Sequence, residues 1–175
     1  MRPASPRPRT APFAASATLV LLAGCAALGG LADVALPRFS VAEGRSGELR
    51  LALPSMDRPL GGATLRVWAH VENPNPFGVT LTRLAGDLFL QQTRTAEVDL
   101  PLGLPMVAQQ DTIIPVDVTI SFSDLPGLAD LARSLLTRSA VDYRLDGRLT
   151  VDAGVLGTPS FGPRTWLEGQ VDVRR

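Results

Sequence analysis

The sequence predicts a mainly β protein: an antiparallel β-sandwich with one α-helix between its late strands. Apolar and polar residues alternate with a period of two in several separate segments, which is typical of strands with one buried face. The chain has 15 prolines and 16 glycines in 175 residues, and this density favours short elements joined by turns. A single segment has the spacing of an amphipathic helix.

Residues 1–24 have the features of a bacterial signal peptide. Three arginines precede an apolar run that is too short to span a bilayer comfortably. The run ends in a motif that resembles a lipobox, whose cysteine becomes diacylated and N-terminal, formed here by Leu22, Ala23, Gly24 and Cys25. The alternative is an ordinary cleaved signal followed by a chance cysteine. Cys25 is the only cysteine in the chain, and lipidation would need it at this position.

The predicted partner is a membrane, reached through a diacylglyceryl group on Cys25. By resemblance to lipoprotein sorting rules, Ala26 in place of aspartate favours the outer membrane, with the domain facing the periplasm. An inner-membrane or cell-surface location stays open. Residues 25–36 are predicted to form the lipidated cysteine and a tether, and residues 37–175 to form one domain. The formal net charge of zero argues against a nucleic-acid-binding protein, which needs a clustered basic excess.

Alternating segments predict the strands in order. We expect them at residues 47–53, 63–72, 79–92, 95–100, 112–122, 141–151 and 159–173. Within 79–92 the apolar parity changes, which predicts a β-bulge, and Gly86 lies near it. Segment 95–100 is a candidate edge strand. Pro115 places the start of the 112–122 strand at an edge or a bulge, because proline cannot donate to a ladder.

Residues 123–138 are predicted to form the helix. Apolar residues recur at helical spacing on one face, at Leu128, Leu131, Ala132 and Leu135. Ser123 or Asp124 can cap the helix, and Pro126 suits its first turn.

An unusual polar stretch, Asn73, Pro74, Asn75 and Pro76, followed by Phe77, separates two predicted strands. A residue before proline is pushed toward extended geometry, and prolines cannot continue a central ladder. Asparagine side chains can satisfy nearby backbone groups. We interpret the stretch as a stiff corner that satisfies its own backbone, and the alternative is an exposed binding site.

The stretch VENPNPFGVTLTRLAGDLFL resembles the Asn-Pro-Asn corner of the late embryogenesis abundant (LEA) type 2 family, also known for the water stress and hypersensitive response (WHy) domain. Residues 104–122 resemble the family's strand rich in valine and proline, and residues 124–138 resemble its helix. Tyr143 and Gly147 resemble its tyrosine-x-x-x-glycine strand. The resemblance spans residues 37–173. It implies a sandwich of the fibronectin-III or immunoglobulin-like type with one helix and no catalytic residues.

The resemblance implies a non-enzymatic, membrane-anchored protein that protects against desiccation, water stress or envelope stress. Two alternatives stay open. A periplasmic lipid-binding module would hold an acyl chain between the sheets or under the helix, and the predicted outward tryptophans Trp68 and Trp166 could line a ligand patch unless a loop or the helix covers them. A scaffold would bind another envelope protein through the edge at 95–100.

The residues form no constellation for catalysis, a metal or a cofactor. His70 is the only histidine, and its outward parity indicates a surface residue rather than a base or a ligand. Charges alternate in sign on one predicted strand face, at Asp142, Arg144, Asp146, Arg148 and Asp152. Paired carboxylates can perform glycoside hydrolysis, but alternating signs are more typical of a solvated, self-neutralising surface.

Overall fold

The computed structural model describes residues 34–56, 59–122 and 128–174. Several predictions lie outside these residues: the signal peptide, most of the tether and, by residue, Leu22, Ala23, Gly24, Cys25, Ser123, Asp124 and Pro126.

Strands dominate the described chain. They are β1 (Arg38–Val41), β2 (Glu48–Ala52), β3 (Gly62–Glu72), β4 (Val79–Leu90), β5 (Thr93–Met106), β6 (Asp111–Ser121), β7 (Ala140–Asp152) and β8 (Ser160–Arg174). The helix α1 (Leu128–Thr137) lies between β6 and β7, and a 3-10 turn at Gly154–Leu156 precedes β8. The prediction of a mainly β protein with one helix between late strands is confirmed.

The described strands pair antiparallel with one exception. β3 pairs with β6 along one edge and with β1 and β2 along the other. β4 lies between β5 and β7, and β7 pairs with β8. β2 and β8 run parallel where residues 48–50 meet residues 172–174. The sheet is therefore mixed, and the prediction of a purely antiparallel arrangement is wrong at this pair.

The predicted period of two builds the core. In β3 every second residue from Ala63 to Val71 is buried, and the residues between them are half-buried or exposed. β7 repeats the pattern from Val141 to Val151. Side chains from all of these strands join one apolar cluster. Burying a large aliphatic side chain contributes roughly 1.5–3 kcal/mol, so the cluster is the main source of stability.

The predicted bulge in β4 is present, but it lies at Thr82 rather than near Gly86. Pairing with both β5 and β7 passes from Leu81 to Arg83, so the inward parity changes there. The Thr82 hydroxyl donates to the carbonyl oxygen of Thr150 at 2.9 Å. The bulge is therefore fastened to β7 by a side chain.

Gly86 instead permits a close approach between two strands. It is paired with Gly147 of β7. A Cβ on Gly86 would collide with the carbonyl oxygen of Asp146, and one on Gly147 would lie 2.5 Å from the carbonyl oxygen of Ala85. Real Cβ atoms do not approach backbone so closely, so both positions need glycine.

β5 and β6 lie at edges, as predicted, but β5 is longer than predicted. Among the described strands β5 pairs only with β4 and β6 only with β3, as expected for a strand that contains Pro115. β5 spans residues 93–106 rather than 95–100. β1 is absent from the predicted strands because its alternation of polar and apolar residues lasts for only four residues, and only Phe39 among them is partly buried.

Trp166 points into the core, so the prediction that it faces outward is wrong. The pairing of β8 with β7 shifts between Leu145 and Asp146, and the extra residue is Trp166, which is only 4% exposed. Its indole N–H donates to the carbonyl oxygen of Gly147 at 2.8 Å. Its ring meets Phe39 edge-on, with centroids 5.3 Å apart. A bulge moves this side chain to the inner face.

Trp68, the other tryptophan predicted to face outward, is half-buried on β3. The guanidinium carbon of Arg45 lies 4.4 Å from its ring centroid, within cation–π range. Since only one of the two tryptophans is accessible, they do not form a shared ligand patch.

The helix α1 packs through the predicted apolar stripe where side chains are described. Leu131 and Leu135 are buried, and Leu136 is 57% exposed on the other side. The side chains of Leu128 and Ala132 lie outside the description. Within the described residues, no helix is long and apolar enough to cross a membrane.

Candidate functional site

Four chain segments lie at one end of the domain. The strand registers pair Arg38 with Glu72, Glu72 with Asp111, and Val79 with Met106. β7 ends opposite the start of β4. The segments that extend beyond these positions are residues 34–37, 73–78, 107–110 and 153–159. We call this group of four segments the corner end.

Asn73 connects two segments of the corner end, residues 73–78 and residues 107–110, and is completely buried. Its backbone N–H donates to the carbonyl oxygen of Gln110 at 2.9 Å. Its Nδ2 donates to the carbonyl oxygens of Phe77 and Val107, each at 3.0 Å. Its Oδ1 accepts from the backbone N–H and the Nδ2 of Asn75 at 3.1 and 2.9 Å. The amide group thus uses both of its donors and its acceptor.

Asn75 fastens the chain that enters the domain. Its Oδ1 accepts from the backbone N–H of Ala35 at 2.7 Å, and its Nδ2 donates to the carbonyl oxygen of the same residue at 3.0 Å. This side chain therefore offers the donor and acceptor that a neighbouring strand would offer. The Asn75 carbonyl oxygen also accepts from the backbone N–H of Gln109 at 3.0 Å. Asn75 is 1% exposed.

The two asparagines form hydrogen bonds with other chain segments as well as within their own corner. The predicted local bond is present, since Asn73 accepts from the N–H two residues later. The bonds to residues 35, 107, 109 and 110 are not local, so the sequence reasoning missed them. The only signal for them is that two buried amides have more hydrogen-bonding groups than a tight turn can use. Pro76 is exposed and Phe77 is half-buried against the core.

The corner end is free of charge. Its segments read VALP, NPNPFG, VAQQ and AGVLGTP, without an acidic or basic residue. Two valines at loop tips face outward: Val107 is 62% exposed and Val155 is 104% exposed. At the opposite end, the connection from β6 to β7 contains Arg133 and Arg138, both exposed.

Tyr143, the tyrosine of the predicted tyrosine-x-x-x-glycine strand, is a core residue and lies away from the corner end. It pairs with Gly169 of β8, and a Cβ on Gly169 would lie 3.3 Å from the tyrosine ring. Its buried hydroxyl has no hydrogen-bond partner within the described part of the chain. Burial raises the pKa of Tyr143 to about 12.

His70 lies in a row with a serine and an aspartate on the outer face of three neighbouring strands. Its Nε2 is 2.5 Å from Oδ2 of Asp111 on β6, and its Nδ1 is 3.4 Å from Oγ of Ser40 on β1. A nucleophilic serine needs backbone or side-chain donors for an oxyanion. β3 is paired on both sides here, so its N–H groups are engaged in the sheet. The row fits a surface hydrogen-bond network better than a hydrolytic site.

Arginines form ion pairs with several other surface carboxylates. Arg66 binds Asp117 with two hydrogen bonds of 2.6 and 2.8 Å, and Arg83 binds Asp99 with two of 2.6 Å. These guanidinium groups lower the pKa of Asp117 and of Asp99. Arg144 contacts Asp146 at 2.9 Å, as the self-neutralising interpretation predicts.

The two other aspartates of that strand also have partners. Asp142 accepts from Nε2 of Gln170 at 3.2 Å, and Asp152 accepts from the backbone N–H of Gly154 at 2.8 Å. In the described residues, no group of three or more His, Cys, Asp or Glu side chains is arranged to hold a metal ion.

A cleft of about 290 Å³ separates β5 from β6. Its lining is apolar except for Asp117, and consists of Leu100, Pro101, Leu102, Leu104, Ile114, Pro115, Val116 and Asp117. No strand pairing joins β5 to β6 among the described residues, since β5 pairs with β4 and β6 pairs with β3.

Comparison with known proteins gives one family. Residues 69–164 match the model of the family described as late embryogenesis abundant protein. No curated protein sequence matches the chain. A solution structure from Arabidopsis thaliana is similar with a TM-score of 0.51 at 18% identity, over 77% of this chain and 85% of that chain. A solution structure of a late embryogenesis abundant (LEA) protein is 21% identical over 83% of this chain and 74% of that chain, with a TM-score of 0.47.

Proposed function

Because this chain belongs to the late embryogenesis abundant family, we propose that it protects the cell during water stress or envelope stress and performs no catalysis. The observation that carries the proposal is the family match over residues 69–164, which begins in β3 and ends in β8. It includes the Asn73–Asn75 corner and the motif residues Tyr143 and Gly147.

The proposed site of action is the envelope. Three arginines, an apolar run and the motif ending in Cys25 support a lipid-anchored protein. Ala26 supports the outer membrane, with the domain in the periplasm. Each methylene group of the acyl chains contributes about 0.8 kcal/mol to the free energy of membrane binding. The chains on one diacylated cysteine together contribute enough for stable attachment.

The proposed architecture is a fibronectin-III-like sandwich. One layer would contain β1, β2, β3 and β6, and the other β4, β5, β7 and β8. The alternating strands of both groups direct their apolar residues into one cluster, which supports two layers facing each other.

The proposed mechanism is that a rigid, charge-paired surface shields membrane or protein as water is lost. Attraction between opposite charges rises as the dielectric constant falls. Because Arg66–Asp117 and Arg83–Asp99 are already paired, drying strengthens them instead of leaving isolated charges. The domain would therefore keep its fold when its surroundings dehydrate.

The test is survival of a deletion strain after drying and rehydration. We expect a loss of survival that the wild-type gene restores and a Cys25→Ser variant does not. Full survival without the protein would contradict a protective role. Rescue by Cys25→Ser at equal abundance would contradict the anchor and leave protection standing.

The cleft between β5 and β6 supports a second candidate, the binding of a lipid acyl chain. Prolines in paired edge strands are tolerated where the nitrogen faces away from the partner, so Pro101 and Pro115 reduce the donors that the cleft could offer a peptide strand. An apolar chain suits such a lining better, whereas a protein partner is left with the proline-free edge at residues 95–100. Native mass spectrometry of protein extracted from membranes should show bound lipid, lost in Leu102→Asp.

A further inference from the structure

We propose that the corner end lies against the lipid bilayer, with Val107 and Val155 inserted at the membrane surface. The inference rests on the proposed lipid anchor at Cys25 and assigns a surface and an orientation that the anchor alone does not give.

The number of residues between Cys25 and the domain limits how far this end can lie from the anchor. Ala35 is held to Asn75 by two hydrogen bonds, so the chain enters the domain at the corner end. Eight residues separate Cys25 from Val34, and a stretch of this length spans at most about 30 Å. The far end of the domain is at least one strand farther away, and the 11 residues of β3 add about 35 Å.

The lack of charge makes this end suitable for contact with lipid. Moving a charged side chain out of water is costly, whereas hydrogen-bonded amides and small apolar groups are moved at much lower cost. The corner end has no charged residue, and its two buried asparagines have hydrogen-bond partners within the protein. The opposite end exposes Arg133 and Arg138.

The apolar tips supply the attraction. Val155 is 104% exposed and Val107 is 62% exposed, so each leaves its side chain in water in the free protein. Burial of apolar area drives interfacial binding. Asn73 holds the loop of Val107 in place through a 3.0 Å hydrogen bond, so little conformational freedom is lost on docking.

Site-directed fluorescence on the full acylated chain tests the orientation. Acylation occupies Cys25, the only cysteine, so an introduced cysteine is the single free thiol. A polarity-sensitive dye is attached in Val107→Cys and Val155→Cys. Matched controls at the opposite end are Leu60→Cys and Leu136→Cys, since these residues are 64% and 57% exposed. Each protein is reconstituted in phosphatidylcholine vesicles, with and without nitroxide-labelled lipid.

We expect blue-shifted emission and nitroxide quenching at Val107→Cys and Val155→Cys, and neither at the two controls. Flotation of the vesicles measures the anchor independently. Protein that floats with all four probes in water overturns the inference and leaves the anchor intact. Protein that does not float overturns the anchor, and this inference with it.

A charge substitution provides a second test. In a protein labelled at Val107→Cys, adding Val155→Glu should reduce the docked population roughly tenfold, because the contribution of one buried valine is lost and a charge must enter the interface. Leu136→Glu in the same background is the matched control and should leave the signal unchanged. Equal effects of the two substitutions would overturn the orientation. Because the corner end is uncharged, raising salt should not release it.

Discussion

The side chain of Asn75 holds the backbone of Ala35 through two hydrogen bonds of 2.7 and 3.0 Å, although 40 positions separate the two residues. One amide therefore determines where the N-terminal chain joins the domain. The same amide is bonded to Asn73 at 2.9 Å, so the entry point and the corner between β3 and β4 form one unit.

Replacing Asn75 with alanine should destabilise the domain by about 2–3 kcal/mol, because the Ala35 backbone and Asn73 lose buried partners. Denaturant unfolding measures the loss, and hydrogen exchange at Ala35 should rise more than in the core strands. Pro76→Ala is the matched control, because Pro76 is exposed in the same corner, and should cost less than about 0.5 kcal/mol. Equal effects would contradict the role given to Asn75.

Trp166→Phe should cost about 1–3 kcal/mol, because the smaller ring leaves space in the core and the Gly147 carbonyl oxygen loses its indole donor. The control is Trp68→Phe, which changes a half-buried surface ring. Thermal unfolding of both variants makes the comparison. If the two substitutions lower the thermal stability equally, the bulge that directs Trp166 inward is not important for stability.

Gly147→Ala should prevent folding or cost more than about 3 kcal/mol, because the new methyl group meets the Ala85 backbone and the sheet cannot yield locally. Gly103→Ala is the control that separates the effect of a steric clash from the effect of an unfavourable backbone conformation. Gly103 has a φ of 54° and open space where a Cβ would be, so only the strain of a positive φ applies, about 1 kcal/mol. Soluble yield and circular dichroism distinguish the two variants. A well-folded Gly147→Ala protein would contradict the close approach.

Tyr143 should make the protein lose stability in alkali. Its pKa is raised from 10.0 to about 12 in the folded state, so between these values the unfolded chain releases a proton that the folded chain keeps. The contribution of this group to the free energy of unfolding is therefore fully present below pH 10. The free energy of unfolding then falls by roughly 2 kcal/mol as pH rises to 12. Tyr143 is the only tyrosine, so absorbance at alkaline pH reports its ionisation alone.

The matched variant Tyr143→Phe should remove this alkaline loss. It should be neutral or stabilising at pH 7, because a buried hydroxyl without a partner in the described structure is removed. A normal ionisation midpoint near 10 for the wild type would contradict the burial argument.

Sequence reasoning identified the long strands because alternation in β3 and β7 is strong and local. It missed β1, because an alternation of only four residues with one partly buried side chain is too short a signal. It placed the bulge of β4 near Gly86, whereas Thr82 forms it and glycine serves the approach to Gly147. A parity change reveals that a bulge exists, but its position depends on both neighbouring strands.

The candidate site was less predictable than the fold. The corner itself follows from the backbone limits of proline and the short amide side chains of Asn73 and Asn75. Its bonds to Ala35 and Val107 depend on which segments the topology brings together. Trp166 illustrates the same limit, since its inward direction follows from a register shift between β7 and β8 that no property of β8 alone encodes.

The pairing of β8 with both β2 and β7 has a consequence for biosynthesis. β2 is translated well before β8, since β2 contains residues 48–52 and β8 contains residues 160–174. The second edge of β2 therefore stays uncovered until β8 has been synthesised. A message truncated before β8 would yield a protein with an uncovered strand edge, a feature by which quality-control proteases could distinguish incomplete chains from complete ones.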